Sequence, residues 1–161
     1  MEKQFVELIG QHQGIVHKVC TMYVDNEEER RDLFQEILIQ LWKAYPRFRG
    51  EAKITTWMYR VALNTAISFF RKEKRKPARL SLSDASLQIP DRPYDYEYEE
   101  KIRFLKQAIE QLTKIERAIM MLYFEDKEYA EIAETIGITQ NYVRVKMNRI
   151  RNKLKKILTK Q

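Results

Sequence analysis

The chain has 161 residues, 44% of them apolar, and 30 Lys and Arg outnumber 23 Asp and Glu for a net charge of +7. That apolar share can build cores, which argues against disorder throughout, and the length accommodates one ordinary domain or two small ones. Cys20 is the single cysteine, so no internal disulfide can form, and no Cys/His cluster has the spacing of a structural zinc site.

The start, Met-Glu-Lys-Gln-Phe, lacks the pattern of a secretory signal, and the longest apolar run, Ala118 to Phe124, is far too short to span a bilayer. A soluble, cytoplasmic protein without membrane insertion is therefore expected. Excess positive charge favours an anionic partner: nucleic acid, an acidic membrane surface or an acidic protein. Only four Gly and four Pro occur, and apolar residues recur at three and four, which predicts an all-α fold of two small helical modules joined by a flexible linker.

Residues 1–76 form the first module, with turn signals at Asp25-Asn26 and at Pro46-Arg-Phe-Arg-Gly50. On a helical wheel from Glu28 to Tyr45, one broad arc collects Leu33, Phe34, Ile37, Leu38, Leu41, Trp42 and Tyr45, and it is expected to be core. The opposite arc holds Asp32, Gln35, Glu36, Gln40 and Lys43 with Ile39 in its middle. A partner surface would account for Ile39, although single exposed apolar residues are also common.

Thr55 or Thr56 is expected to cap the next helix, with Trp57, Val61, Ala62, Ile67 and Phe70 as its apolar contacts. Its other face carries Arg60, Asn64, Ser68, Arg71 and Arg75 at intervals of four, four, three and four, joined by Lys72, Lys74 and Lys76. This stripe suits a DNA backbone; a solvated helix end whose cations favour the C-terminal dipole would look similar. Tyr45, Phe48, Trp57 and Tyr59 bracket a basic loop around Arg47, Arg49 and Lys53, a composition suited either to stacking single-stranded bases or to a core.

Residues 77–98 lose periodicity and read as a linker, marked by Pro77, Ser81, Ser83, Asp84, Ser86, Pro90, Asp91, Pro93 and Asp95. Fully extended, it would reach about 70 Å, enough for the modules to engage separate sites on one long ligand.

The second module, 99–161, opens with Ile102, Leu105, Ile109 and Leu112 on one face, and Thr113-Lys-Ile-Glu116 then offers a capping box. In Glu128 to Val143 the apolar Ile132, Ala133 and Ile136 precede Gly137, and Ile138 and Val143 follow it. That is the spacing of a helix-turn-helix, with Ala133 small where the helices cross and Thr139 as N-cap of the second helix. Burial of Val143, Met147, Ile150 and Leu154 would leave Gln140, Asn141, Arg144, Val145, Asn148 and Arg149 toward a DNA groove. From Gln140 onward there are eight Lys or Arg and no Asp or Glu, a field that seeks phosphates. Arg144 and Arg149, then Asn148, are the candidate base-edge contacts.

Taken together, Asp32-Leu-Phe-Gln-Glu-Ile-Leu-Ile-Gln-Leu-Trp42, Phe48-Arg-Gly50, Thr56-Trp57 and Ala62-Leu-Asn-Thr-Ala66 resemble region 2 of extracytoplasmic-function sigma factors, group IV of the sigma-70 family. The helix-turn-helix resembles their region 4. The resemblance implies an alternative sigma factor that binds bacterial core RNA polymerase, directs it to promoter DNA and assists melting, while catalysing nothing itself and needing no cofactor. It implies that Asp32, Gln35, Glu36, Ile39 and Gln40 dock on the clamp helices of the polymerase largest subunit. It further implies that Phe48, Arg49, Lys53, Arg60, Asn64, Arg71 and Arg75 handle the minus-ten element, with a flipped base held near the loop. Gln140, Asn141, Arg144, Val145, Asn148 and Arg149 would face the minus-thirty-five element, where Val145 departs from the small polar residue often found. The linker, with Asp84, Asp91, Asp95 and Glu97 against Arg79 and Arg92, would thread through polymerase channels, and an anti-sigma factor would clamp both modules.

Three other readings compete, of which one, an interaction scaffold held by an inhibitory partner, would regulate the main function without replacing it. A repressor or activator using the helix-turn-helix alone would leave the Asp32 to Trp42 motif unexplained. An enzyme finds little support: His12 and His17 are five apart and share no helix face as metal ligands, and no Gly-rich phosphate loop or nucleophile motif occurs.

Overall fold

A computed structural model describes residues 1–73 and 95–160, with side chains at 70–73 excepted. The described residues form seven α-helices and contain no strand. They divide into two compact units, one built on the three α-helices before residue 74, the other on the helices after residue 94 apart from Thr135–Gly137.

In the first unit, α1 (Glu2–Tyr23) buries Phe5, Val16, Val19, Cys20 and Tyr23. Burial pushes the Cys20 thiol up to about 11 despite the nearby Arg30 charge and a backbone hydrogen bond, so it stays protonated and behaves as a small apolar group. The turn expected at Asp25-Asn26 forms: the Asn26 side chain accepts the Glu29 N–H at 3.1 Å. It thereby caps α2 (Glu27–Ala44), whose first turn carries three glutamates where the helix dipole favours them.

α2 buries Leu33, Ile37 and Leu41 completely, while Phe34, Leu38 and Tyr45 are half-buried. Trp42, expected in the core, is 40% exposed. It lies near the end of the helix, where its ring meets Phe5 edge-on at 5.0 Å and covers the core from outside. A 3-10 turn, Tyr45–Arg47, follows with Pro46 at its start, and Gly50, at φ +77°, reverses the chain toward α3 (Ile54–Glu73).

α3 starts earlier than its threonines suggest: the Lys53 carbonyl accepts the Trp57 N–H at 3.0 Å, which places Thr55 and Thr56 inside the first turn. Its buried face also differs from expectation. Met58, Tyr59, Ala62, Leu63 and Ala66 are the core residues, whereas Trp57, Val61 and Ile67 are only half-buried. α3 packs against both α1 and α2, and two neighbours cover a wider arc than one apolar stripe. Of the stretch 77–98 read as linker, residues 77–94, with Asp84, Asp91, Arg79 and Arg92, lie outside the described residues.

In the second unit, α4 (Tyr96–Glu110) begins within the stretch read as linker, because the Asp95 carboxylate accepts the N–H groups of Glu97 and Tyr98 at 3.1 and 3.2 Å. Ala108 is buried and Leu112, just beyond the helix, is buried too; Ile102 and Ile109 are half-buried. Leu105, expected on that apolar face, is 49% exposed. The capping box opens α5 (Lys114–Phe124) as expected, with Glu116 N–H donating to Thr113 Oγ1 at 3.2 Å and Thr113 N–H donating to Glu116 Oε2 at 2.9 Å. Arg117 reaches back to the carbonyls of Ile109 and Glu110 at 3.1 and 3.3 Å, tying α5 to the end of α4.

The helix-turn-helix consists of α6 (Tyr129–Ile136) and α7 (Gln140–Thr159). Ile132 and Ala133 are buried, Gly137 turns at φ +82°, and the Ile138 N–H closes the turn onto the Ala133 carbonyl at 3.0 Å. Thr139 caps α7 by accepting the Tyr142 N–H at 3.1 Å. Replacing Thr139 by alanine is expected to cost about 1 kcal/mol, read as faster hydrogen exchange in the first turn of α7; unchanged exchange there would remove the cap from the account.

Candidate functional site

Three surfaces collect the predicted residues. On α2, Asp32 and Gln35 are exposed, Glu36 and Gln40 are half-buried, and the Gln40 amide donates to Glu36 Oε1 at 2.8 Å. Ile39 stands 46% exposed among them, directly across the helix from the buried Leu33, Ile37 and Leu41. The stripe is thus polar with one apolar side chain on the solvent side of a helix whose apolar face is already buried.

The second surface is a cleft of about 250 Å³ lined by Ala44, Arg47, Phe48, Arg49, Glu51, Ala52, Trp57 and Arg60. Phe48 and Trp57 meet at a tilt with ring centroids 5.0 Å apart, and Tyr45 continues the aromatic series, also tilted, at 6.3 Å from Trp57. Three guanidiniums against one carboxylate make the mouth cationic, and the indole supplies a flat apolar wall. Of the residues expected to handle single-stranded DNA, the structure brings Phe48, Arg49 and Arg60 together here. Lys53 is exposed outside the lining, and Asn64 is exposed one turn beyond Arg60. The side chain of Arg71, and Arg75 entirely, lie outside the described residues. Arg47, expected in the basic loop, and Trp57, expected to bracket it, also belong to the lining; Tyr59, grouped with them from sequence, is 4% exposed and belongs to the core.

The third surface is α7. Val143, Met147 and Ile150 are buried and Leu154 is only half-buried, near the helix end, while Gln140, Asn141, Arg144, Val145, Asn148 and Arg149 are all exposed. The whole predicted set therefore shares one accessible side, as a recognition helix requires.

Beneath it is a feature the sequence concealed. The Glu116 carboxylate of α5 is 2% exposed and meets Lys153 Nζ at 2.8 Å and Lys146 Nζ at 4.0 Å, both from α7. Burial alone would raise the Glu116 pKa; the hydrogen bonds from Lys153 and the Thr113 backbone, with the charges of Lys153 and Lys146, outweigh it and hold the carboxyl below its usual range. Two of the α7 cations thus fix the helix to α5 instead of facing outward, and Lys146 also lies 5.4 Å from the centre of the Tyr142 ring.

Among the described residues no helix is long and apolar enough to cross a membrane, and no group of three or more His, Cys, Asp or Glu is placed to hold a metal ion.

Comparison with known proteins agrees with this arrangement. Sigma-70 region 2 matches residues 8–76 and Sigma-70, region 4 matches residues 105–154. The RNA polymerase sigma factor YlaC of Bacillus subtilis is 30% identical, covering 83% of this chain and 79% of that protein. The ECF RNA polymerase sigma-E factor of Haemophilus influenzae is 28% identical over 93% of this chain and 85% of that protein. Among solved structures, the sigma factor RpoE from Bartonella quintana, in complex with the anti-sigma factor NepR, has a TM-score of 0.71 at 18% identity, covering 98% of both chains. The chain belongs to the sigma-70 family, among its ECF members, and is an RNA polymerase sigma factor of promoter-directed transcription initiation.

Proposed function

We propose that the three surfaces divide the work of initiation among them. The α2 stripe of Asp32, Gln35, Glu36, Ile39 and Gln40 docks on the clamp helices of the polymerase largest subunit. The Arg47–Arg60 cleft, with Asn64 and the basic end of α3 through Arg71 and Arg75, engages the minus-ten element, aided by Lys53. Extruding one base there costs a few kcal/mol, which stacking on Trp57 and Phe48 and the surrounding guanidiniums offset. The exposed side of α7 enters the major groove at the minus-thirty-five element through Gln140, Asn141, Arg144, Val145, Asn148 and Arg149. Residues 1–76 act as one module and the helices from Tyr96 onward as the other, and the stretch between them is the link.

The chain itself catalyses nothing: polymerase performs the chemistry, and the site of action is the cytoplasm. An anti-sigma factor regulates it, as NepR partners the structural relative.

The observation that carries the docking assignment is Ile39, 46% exposed within a polar stripe. Co-purification with bacterial core polymerase tests it, comparing the parent chain with Asp32→Ala/Gln35→Ala. The parent is expected to co-elute and the double variant to bind about tenfold more weakly, the scale of one or two lost interface contacts. Equal retention would move the docking surface away from α2.

A further inference from the structure

The promoter reading leaves open which bases α7 prefers, and the side-chain pattern on its exposed face bears on that. Asn141, Val145, Asn148 and Asn152 follow one another at intervals of four, three and four, so they form a single strip along the helix. The strip runs opposite the buried Val143, Met147 and Ile150. Arg144, Arg151 and Lys155 flank it on one side and Arg149 and Lys156 on the other, all exposed.

The strip itself is uncharged. No other described residue engages any of its three carboxamides, and Val145 is 42% exposed in its centre. Asparagine can bond phosphates as well as base edges, so the assignment turns on the apolar Val145 at the centre of the strip and on the cations already placed along both flanks. Solvation and phosphate contact would be served by those lysines and arginines.

The chemistry of the major groove supplies a specific counterpart. Adenine presents an acceptor and a donor side by side, which one carboxamide satisfies with two hydrogen bonds. Thymine presents a methyl group, the one apolar feature of the groove floor, which an apolar side chain covers. A guanine-reading helix would instead place arginine on the central line.

We infer that Val145 is a specificity-determining residue, seated against a thymine methyl of the upstream element, with Asn148 and Asn141 reading adenines on either side. The element crossed by this strip is accordingly rich in A·T pairs, and Arg144 and Arg149, candidate base-edge contacts on sequence grounds, are assigned instead to the two phosphate backbones, while Arg151 is held by Tyr129 at 3.4 Å. This rests on the reading of α7 as the upstream recognition helix.

The test uses holoenzyme assembled from the full chain and bacterial core polymerase, selected against duplex DNA randomised across the upstream element. Deoxyuridine then replaces each enriched thymidine in turn, which removes one methyl and nothing else. At one position the parent is expected to lose about fourfold in affinity, the worth of one buried methyl, and Val145→Ala is expected to show no further loss there. Val145 is exposed, so that substitution leaves the fold intact. Selected elements with no methyl-dependent position, or a methyl penalty unchanged in Val145→Ala, would overturn the assignment while leaving α7 a DNA-binding helix. Failure to enrich any upstream sequence would overturn the reading of α7 itself.

Discussion

Replacing Glu116 by alanine is expected to lower the free energy of opening the α5–α7 pairing by about 2–3 kcal/mol. The upper range for breaking a buried pair is about 3–5 kcal/mol, and it is reduced here by solvent at Lys153. The geometry sets the balance. The carboxylate is 2% exposed, and Lys146 is 14% exposed, so removing the anion strands an ammonium in a site that water scarcely reaches. Lys153, 40% exposed, recovers hydration more easily. The same change removes the acceptor for the Thr113 N–H and so takes away half of the capping box. Hydrogen exchange of α5 and α7 amides in the full chain reads the effect directly. Protection unchanged by more than about 0.5 kcal/mol would mean that the apolar contacts of Ile119, Leu122, Val143 and Ile150 hold α7 without it.

The same carboxylate gives a pH dependence of defined sign. Its pKa is lowered in the folded chain from an ordinary value of 4.5, so the folded state binds the proton less readily than the unfolded chain does. The stabilisation is therefore complete above pH 4.5 and is lost as pH falls toward the lower, folded value. Glu116→Gln, which keeps the size and loses the charge, should flatten the acid-side decline of α7 protection. A decline equally steep in parent and variant would assign it to other carboxylates.

Glu116 also marks where sequence reasoning stops. Its role as the third residue of a capping box is local and was readable from Thr113-Lys-Ile-Glu116; its burial depends on Lys153, 37 positions away. Local signals fared well elsewhere for the same reason. Asn26, Thr139 and Gly137 act on backbone groups within a few residues of themselves, and each stands where a turn or cap was expected. The apolar face of α3 was misjudged because its helix carries hydrophobic residues on more than one arc. Only contact with α1 and α2 together decides that Met58, Leu63 and Ala66 go inside while Trp57 is left to line a cleft. A similar ambiguity placed Trp42 in the core and Leu105 on a buried stripe. The exposed side of α7 was legible in full, since four apolar positions on one line fix the direction of all the others.

Ile37 and Ile39, two residues apart on α2, should respond to the same substitution in opposite ways, and the contrast separates folding from docking. Ile37 is completely buried beside Leu33 and Leu41, so Ile37→Ala leaves a cavity that the packed α1 and α3 cannot close; a loss of about 3 kcal/mol is expected in urea unfolding. Ile39 is 46% exposed and contributes little to that core, so Ile39→Ala should stay within about 0.5 kcal/mol of the parent. Its effect belongs to the partner. An isoleucine ringed by Asp32, Gln35 and Gln40 fits the centre of an interface with a polar rim, and its truncation should weaken core polymerase binding about tenfold. Titration of core polymerase with the two variants distinguishes the possibilities. Undiminished binding by Ile39→Ala would make the isoleucine an incidental surface residue and leave the polar side chains to carry the contact alone. Little loss of stability in Ile37→Ala would mean that α2 is held chiefly by Leu33 and Leu41, and that the docking stripe rides on a looser support than its burial implies.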